Sequence, residues 1–186
     1  MKKRVDLPEK KYEGYIFDLD GTLVDSMPLH YRAWREALAR AGAPDHVFRA
    51  DEFYSCGGKS ANDVVRFLNE RYGMHMDAES TAADKRRIYL EMLEKEGMQP
   101  IREVVEFVHS LGDAPKAIAT GSAMPGASRT LAAAGLSGLF DVILTPDEVE
   151  HGKPAPDMFL KAAELLGVSP DRCVVFEDAE SGMKAA

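Results

Sequence analysis

The sequence predicts an α/β protein in which a parallel sheet lies between helices and a small all-helical domain is inserted after the first strand. Three observations lead to this prediction. Short apolar runs end in polar or acidic residues, helical patterns separate the last three runs, and a long helical block follows the first. Strands that alternate with helices form βαβ units around a parallel sheet. With 186 residues, 45% of them hydrophobic and 29% charged, the chain has the composition of a folded globular protein.

The apolar runs have the length of buried parallel strands, and they lie at residues 15–17, 116–119, 142–144 and 173–176. Helical patterns, each ended by a glycine, follow at residues 100–111, 125–134 and 156–166. Together they predict a Rossmann-like, three-layer core that comprises residues 14–25 and 96–186.

The segment 26–95 interrupts this alternation of strands and helices. Its sequence has a helical pattern throughout, and it is too long to be a loop in a compact domain. Leu29, Ala33 and Trp34 begin an apolar face at helical spacing, and Trp34 is expected in the core of this block. Ser60 with Asp63 resembles a capping box that opens a second helix, and residues 78–96 form a third. We predict a helical cap domain here, whose two connections lie close together and act as a hinge.

The ends of the predicted strands carry the residues that favour chemistry. In an open α/β sheet, ligands bind at the carboxyl ends of the strands. Carboxylates that converge there repel one another unless a hard divalent cation is present, and Mg²⁺ fits such a site. A lysine and a hydroxyl beside the metal favour the binding of a phosphate group. The strand-end candidates are Asp18, Asp20, Thr120, Lys153, Glu177 and Asp178.

Other kinds of site are excluded by missing residues. Gly152-Lys153 lacks the upstream glycine of a nucleotide-binding P-loop, and Leu23 stands where a calcium loop beginning at Asp18 requires glycine. The net charge of −8 argues against nucleic-acid binding, and no apolar run reaches the ~20 residues of a membrane helix. Two cysteines are too few for a disulfide framework, so we expect a cytoplasmic protein. Because no apolar run is long enough to span a membrane, we expect no membrane partner.

The ends of the chain give two further expectations. Residues 1–13 are basic without a following apolar stretch, so they are predicted to be a solvated tail rather than a signal peptide. The sequence stops inside a predicted helix, where a fifth strand would normally follow, which indicates a C-terminal truncation.

Four segments resemble the motifs of the haloacid-dehalogenase-like hydrolase superfamily. In chain order they are FDLDGTLVDS at 17–26, AIATGS at 117–122, GKPAPD at 152–157 and FEDAESG at 176–182. The helical insertion is similar to the small cap of the subgroup that holds β-phosphoglucomutase and the sugar phosphatases. Segments 30–35 and 173–179 most resemble bacterial fructose-1-phosphate phosphatase-like proteins.

The resemblance implies a Mg²⁺-dependent phosphatase that acts on small sugar monophosphates. Asp18 would attack phosphorus and form an aspartyl phosphate, and Asp20 would serve as general acid and then as general base. Lys153 would hold Asp18 and the phosphate. Mg²⁺ would be bound by Asp18, Asp20 through its carbonyl, Glu177 and Asp178, and the phosphate would contact Thr120, Gly121, Ser122 and Lys153. A capped enzyme of this size needs no second subunit to close its site, so a monomer is expected.

Simpler roles compete with these assignments. Asp20 and Gly21 could form only a turn, and Thr120 could be a helix cap. Lys153 could be solvated, and Glu177 could contact the metal through water. His30 faces either the substrate or the surface at a helix end. Lys59 follows two glycines in a cap loop and either contacts substrate or is solvated.

Two alternative functions remain open. A hexose-phosphate mutase of this subgroup carries an arginine after the cap-loop serine and a lysine after the second motif, where this chain has Ala61 and Ala123. Dehalogenases lack the second aspartate, and phosphonate-cleaving relatives use a cap lysine, so Asp20 favours phosphate esters while Lys59 is a residue to check. A non-catalytic binding protein would be distinguished by its failure to release phosphate from p-nitrophenyl phosphate.

Overall fold

The computed structural model describes residues 11–57 and 59–186, and most of the predicted tail, as well as Gly58 of the cap loop, lies outside them. A four-stranded sheet in the order β3-β2-β1-β4 confirms the predicted parallel α/β architecture. Its strands are β1 (Gly14–Phe17), β2 (Lys116–Ala119), β3 (Val142–Leu144) and β4 (Cys173–Phe176). Phe17, the last residue of the central strand β1, is paired with Ile118 on one side and with Phe176 on the other.

Alternating side chains of the strands pack into two layers on opposite faces of the sheet. Ile16, Ala117 and Leu144 belong to one buried cluster, which includes Met158 and Phe159 of a helix that precedes β4. Phe17 and Ile118 belong to the cluster on the other face. Because both faces are covered, short and continuously apolar strands are stable here.

The helices follow the predicted pattern closely. Those before β2 are α1 (Met27–Arg40), α2 (Ala50–Ser55), α3 (Ala61–Tyr72), α4 (Ala78–Glu96) and α5 (Arg102–Ser110). Those after it are α6 (Met124–Ala133), α7 (Asp157–Leu166) and α8 (Glu180–Ala185). The short helix α2 was not predicted, because six residues give too little periodicity. Helix α5 begins two residues after Pro100, since Pro100 pairs with Val24 in a β-bridge.

The helices between β1 and β2 contribute to two hydrophobic clusters. One cluster lies wholly within this block and includes Trp34, Phe48, Phe53 and Leu68, so Trp34 is core as expected. The other contains Ala33 of α1 and Tyr89 of α4 together with strand residues such as Phe17. Helices α1 and α4 therefore pack against the sheet side of the molecule, while α2 and α3 lie beyond them.

The two connections between the helical block and the sheet lie side by side. The amide of Asp25 donates to the carbonyl of Gln99 at 2.9 Å, and the amide of Ile101 donates to the carbonyl of Leu23 at 2.9 Å. This short antiparallel ladder brings the connections together at the place where the sequence predicted a hinge.

Within the described residues, no helix is both long and apolar enough to cross a membrane. Cys56 and Cys173 are free thiols, in agreement with the expectation that the fold uses no disulfide. Glu13, the last residue of the predicted tail, donates its amide to the carbonyl of Arg172 at 2.9 Å, so this residue is hydrogen-bonded to the segment that leads into β4.

Candidate active site

Asp18 lies directly after the central strand and is paired with a buried lysine. Its amide donates to the carbonyl of Phe176 at 2.9 Å, which fixes its backbone at the end of β1. The ammonium of Lys153 lies 2.6 Å from Oδ1 of Asp18 and 2.6 Å from Oε2 of Glu177. The side chain of Lys153 has no exposed surface, which excludes the solvated position. The structure thus brings together residues from β1, from the loop after β3 and from the end of β4.

The acidic cluster around Asp18 has more negative charge than Lys153 can balance. Asp18, Glu177 and Asp178 each place a carboxylate oxygen within 4.8 Å of the others. Burial raises the pKa of Asp18 to about 8, with Lys153 opposing the shift and the charges of Glu177 and Asp20 adding to it. Burial also raises the pKa of Asp178. A hard cation with oxygen ligands would remove this repulsion, so the donor set fits Mg²⁺.

Two glycines allow these carboxylates to lie where they do. A Cβ at Gly182 would lie 2.1 Å from Cδ of Glu177, and a Cβ at Gly21 would lie 2.3 Å from Oδ2 of Asp178. Gly21 also has a φ of +95°, which disfavours other residues. The cluster is therefore built on close backbone approaches that larger side chains would block.

Asp20 accepts hydrogen bonds on both of its carboxylate oxygens. Oδ1 accepts from the hydroxyl of Ser26 at 2.6 Å and lies 3.0 Å from Nε2 of His30, and Oδ2 accepts from the hydroxyl of Ser122 at 2.6 Å. Burial acts to raise the pKa of Asp20, but the interaction with His30 and the hydrogen bonds from the two hydroxyls outweigh it, so the net shift is downward. This arrangement stabilises the ionised form of Asp20, and the simple turn is excluded as its only role.

His30 is buried behind Asp20 rather than on the surface. It is 8% exposed, and its Nδ1 lies 2.7 Å from the ammonium of Lys85. Because an ammonium can only donate, Nδ1 accepts, and the neutral ring carries its proton on Nε2 and donates it to Asp20. Burial and the charge of Lys85 lower the pKa of His30, which agrees with a neutral ring. Of the two positions considered for His30, the surface at a helix end is excluded, because α1 turns this residue toward the sheet and His30 lines the cavity described below.

The second motif lies at the end of β2 with its hydroxyls already in use. Thr120 is fully buried, and its Oγ1 accepts from the amide of Ser122 at 3.1 Å. Helix α6 has Ala123 as its N-cap residue and no side-chain cap, so Thr120 does not cap it. Gly121 and Ser122 line the cavity described next. The hydroxyl of Ser122 bonds Asp20, so a phosphate contact would have to replace that bond.

A cavity of about 560 Å³ lies between the sheet edge and the helical block. Asp18, Asp20 and Asp178 line one side, and Trp34, Phe53 and other apolar cap residues line the opposite side. Lys59 lies on its wall, but its side chain is exposed and its ammonium lies 6.0 Å from the centre of the Phe67 ring. The structure therefore brings Lys59 to the cavity without giving it a contact in the acidic cluster.

Sequence reasoning missed several side chains of the site. Ser26 and Lys85 were not singled out, although Lys85 is 8% exposed and contacts His30. The available signal was a lysine on the apolar face of α4, between Ala82 and Tyr89, because lysine is rarely buried without a partner.

Comparisons with known proteins agree with this geometry. A family model described as haloacid dehalogenase-like hydrolase matches residues 12–186. The chain is 36% identical over 178 residues to the fructose-1-phosphate phosphatase YqaB of Escherichia coli K12, covering 95% of this chain and 92% of that protein. It is 34% identical over 205 residues to a beta-phosphoglucomutase of Mycobacterium tuberculosis, covering 96% and 78%.

A solved structure gives the same fold. The crystal structure of CbbY from Rhodobacter sphaeroides in complex with phosphate matches with a TM-score of 0.80 at 25% identity, and the match covers 94% of this chain and 81% of that one. On the family match, the relatives and the shared fold, this chain belongs to the haloacid dehalogenase-like hydrolases.

Proposed function

We propose that the protein is a phosphatase that hydrolyses small sugar monophosphates with Asp18 as nucleophile. The observation that supports this most is the pair of carboxylates at the end of β1. Asp18 is held by Lys153, while Asp20, two residues later, is held by a separate set of donors, and both face the same cavity. Two carboxylates in different environments suit two different roles.

In the first step, an oxygen of Asp18 attacks phosphorus and the bond between phosphorus and the sugar oxygen breaks. Asp20 takes up a proton when the substrate displaces one of its present hydrogen-bond donors, and it then gives this proton to the departing oxygen. In the second step Asp20 accepts a proton from a water that attacks phosphorus, and Asp18 is released with inorganic phosphate. One residue performs both proton transfers because the second step reverses the first.

The residues around Asp18 supply positioning and charge. Lys153 keeps Asp18 and Glu177 in place and offers its ammonium to the phosphate. Mg²⁺ would be held by Asp18, Asp178 and the carbonyl of Asp20, with Glu177 directly or through water. When bound, it would neutralise charge on the phosphate oxygens.

The lining of the cavity favours a substrate with a single phosphate. Ala61 and Ala123 both lie on its wall, at the positions where mutases of the subgroup carry cations. Methyl groups there cannot hold the outer phosphate of a bisphosphate, and each missing charge-assisted bond is worth about 1.5–3 kcal/mol. The phosphoaspartate therefore reacts with water. We further propose a cytoplasmic monomer that needs no nucleic-acid or membrane partner.

The test incubates the protein with β-glucose 1-phosphate, or with a panel of sugar phosphates that includes fructose 1-phosphate, in the presence of Mg²⁺ and without a bisphosphate activator. Inorganic phosphate is measured for every substrate, and glucose 6-phosphate is also measured for β-glucose 1-phosphate. Release of inorganic phosphate is expected. Accumulation of glucose 6-phosphate without comparable inorganic phosphate would establish the mutase instead, and Lys59→Ala in the same assay shows whether Lys59 replaces the missing cations. Failure to release phosphate even from p-nitrophenyl phosphate would favour a binding protein.

A further inference from the structure

The hydrogen bonds of His30 do not by themselves fix the tilt of its ring. Its two hydrogen bonds, to Asp20 and from Lys85, use the two ring nitrogens, whose N–H group and lone pair are directed in the plane of the imidazole ring. Bonds in the ring plane fix where the ring lies but resist its tilting only weakly, and a tilted Nε2–H would point away from Asp20. Hydrogen bonds weaken steeply as their angle departs from linearity.

Tyr89 covers the face of this ring. The two ring centres are 4.0 Å apart and the planes differ by 4°, so the rings are stacked. Tyr89 is 4% exposed and lies on α4, one turn after Lys85. Helix α4 thus contacts His30 in two perpendicular directions, through an ammonium at the ring edge and through an aromatic ring on its face.

Tyr89 is itself held from the sheet side of the molecule. Its hydroxyl lies 2.8 Å from Oγ1 of Thr130, which is 1% exposed and belongs to α6. This buried hydrogen bond joins α4 to a helix that starts beside the second motif. The ring of Tyr89 therefore has a fixed position relative to Asp20 only while α4 is docked on α6.

We propose that Tyr89 is a positioning residue for the proton transfer by Asp20, with Thr130 as its anchor. The stack keeps Nε2 of His30 directed at Asp20, and the Tyr89–Thr130 bond ties this alignment to the docking of the helical block. The inference rests on the proposed function, because it assigns Tyr89 to the step in which Asp20 protonates the leaving group.

The test compares kcat/KM for two esters whose leaving groups differ in basicity. A sugar phosphate needs a proton on its departing oxygen, whereas p-nitrophenyl phosphate releases a stable anion and needs none. Because kcat/KM reports the steps through departure of the leaving group, only the sugar phosphate is sensitive to the alignment of Asp20. A merely structural defect would lower both values together.

Three variants separate the ring from the hydroxyl. Tyr89→Leu removes the stack, and we expect kcat/KM for the sugar phosphate to fall about tenfold, with p-nitrophenyl phosphate changed less than about twofold. Tyr89→Phe keeps the ring but loses the hydrogen bond to Thr130, so its loss should be smaller than that of Tyr89→Leu and similar to that of Thr130→Val. Thr130→Val keeps the buried volume, removes the partner of the hydroxyl, and should cost about threefold on the sugar phosphate alone. If Tyr89→Leu does not fold, the last two variants decide the matter.

Equal losses on both esters, or a Tyr89→Phe variant as impaired as Tyr89→Leu, would overturn the proposal. A second readout does not depend on turnover. The Nε2–H proton of His30 should give a protected NMR signal in the unchanged protein, exchange fastest in Tyr89→Leu, and exchange at an intermediate rate in Tyr89→Phe and Thr130→Val, which lose the same hydrogen bond but keep the ring. If the unchanged protein hydrolyses neither ester, the proposed function fails and this signal alone decides whether Tyr89 positions His30.

Discussion

At the scale of single residues, the site depends on buried charged side chains that have few partners. Lys153 stands between Asp18 and Glu177, and Lys85 stands behind His30 with the rings of Trp34 and Tyr89 at 5.6 and 5.3 Å. A buried charge that loses its partner is strongly destabilising. Changes at these positions therefore have to preserve shape while removing one function.

Asp18→Asn tests the nucleophile at nearly constant shape. The amide still accepts a hydrogen bond from Lys153 but cannot attack phosphorus, so we expect release of phosphate from p-nitrophenyl phosphate to fall by more than about a thousandfold. The melting temperature, measured in parallel, should show that the variant is folded. A folded variant within about tenfold of the unchanged rate would exclude Asp18 as the nucleophile.

Lys85 makes the free energy of unfolding depend on pH in the alkaline range. Burial lowers its pKa from 10.5 to about 8, with Asp20 opposing this shift and Arg86 adding to it. Between these values the unfolded chain keeps a proton that the folded protein has lost. The free energy of unfolding therefore rises with pH from about 8 to 10.5, and the full gain is on the order of 3 kcal/mol.

Urea unfolding of the protein and of Lys85→Met across this pH range isolates the effect. The difference in unfolding free energy between the two should increase with pH and level off above the ordinary pKa of lysine. A difference that stays constant would mean that Lys85 is not deprotonated in the folded state within this range.

At the scale of elements, the helical block contacts the sheet side at a further place besides the connections and the docking of α4 on α6. The hydroxyl of Ser181, in α8, donates to the carbonyl of Gly57 at 2.6 Å. A Cβ at Gly57 would lie 3.0 Å from Cβ of Ala179, so the two segments are in tight contact. Gly57 and Ala179 both line the cavity, so this contact closes one side of it.

Ser181→Ala removes the hydroxyl and leaves the packing unchanged. If the contact holds the helical block closed, its loss is worth about 1 kcal/mol, or roughly a fivefold change in the population of open forms. We expect the amides of Cys56 and Lys59 to exchange faster with solvent, and KM to rise more than kcat falls. Unchanged exchange at both amides would show that the contact does not control opening, and the neighbouring change Glu180→Gln serves as a control.

At the scale of the whole molecule, the acidic cluster joins segments that are far apart in the chain. Asp18 follows β1 while Glu177 and Asp178 follow β4, and Thr22 donates to Oδ1 of Asp178 at 2.9 Å. A cation bound between these segments would stabilise only the folded chain. Ligand binding of this kind raises stability by RT ln(1 + [L]/Kd).

Mg²⁺ should therefore raise the melting temperature of the protein, without any substrate present. At a concentration about 100 times Kd the gain is about 2.7 kcal/mol. Asp178→Asn should abolish most of this gain, because Asp178 supplies one of the carboxylates after β4 that would bind the cation. Its side chain is exposed, so it can be replaced without a packing defect. An equal rise in the variant would place the ion elsewhere.

The sequence by itself determined the strands, most helices and the identity of the acidic cluster. Strand ends are visible because apolar runs stop at polar or acidic residues, and helix ends are visible at glycines such as Gly73, whose φ of +63° few other residues adopt. Position in the chain also placed Asp18, Asp20, Thr120, Lys153, Glu177 and Asp178, because parallel strands bring their carboxyl ends to one edge.

Only the tertiary structure decided which side chains meet behind Asp20. His30 and Lys85 are 55 residues apart, and their contact depends on how α1 packs against α4. The Tyr89–Thr130 bond likewise depends on the docking of α4 on α6. Periodicity shows which face of a helix is buried but not which partner that face meets. The residues that contact Asp20 therefore follow from packing, while the proposed nucleophile and the proposed metal ligands follow from local sequence.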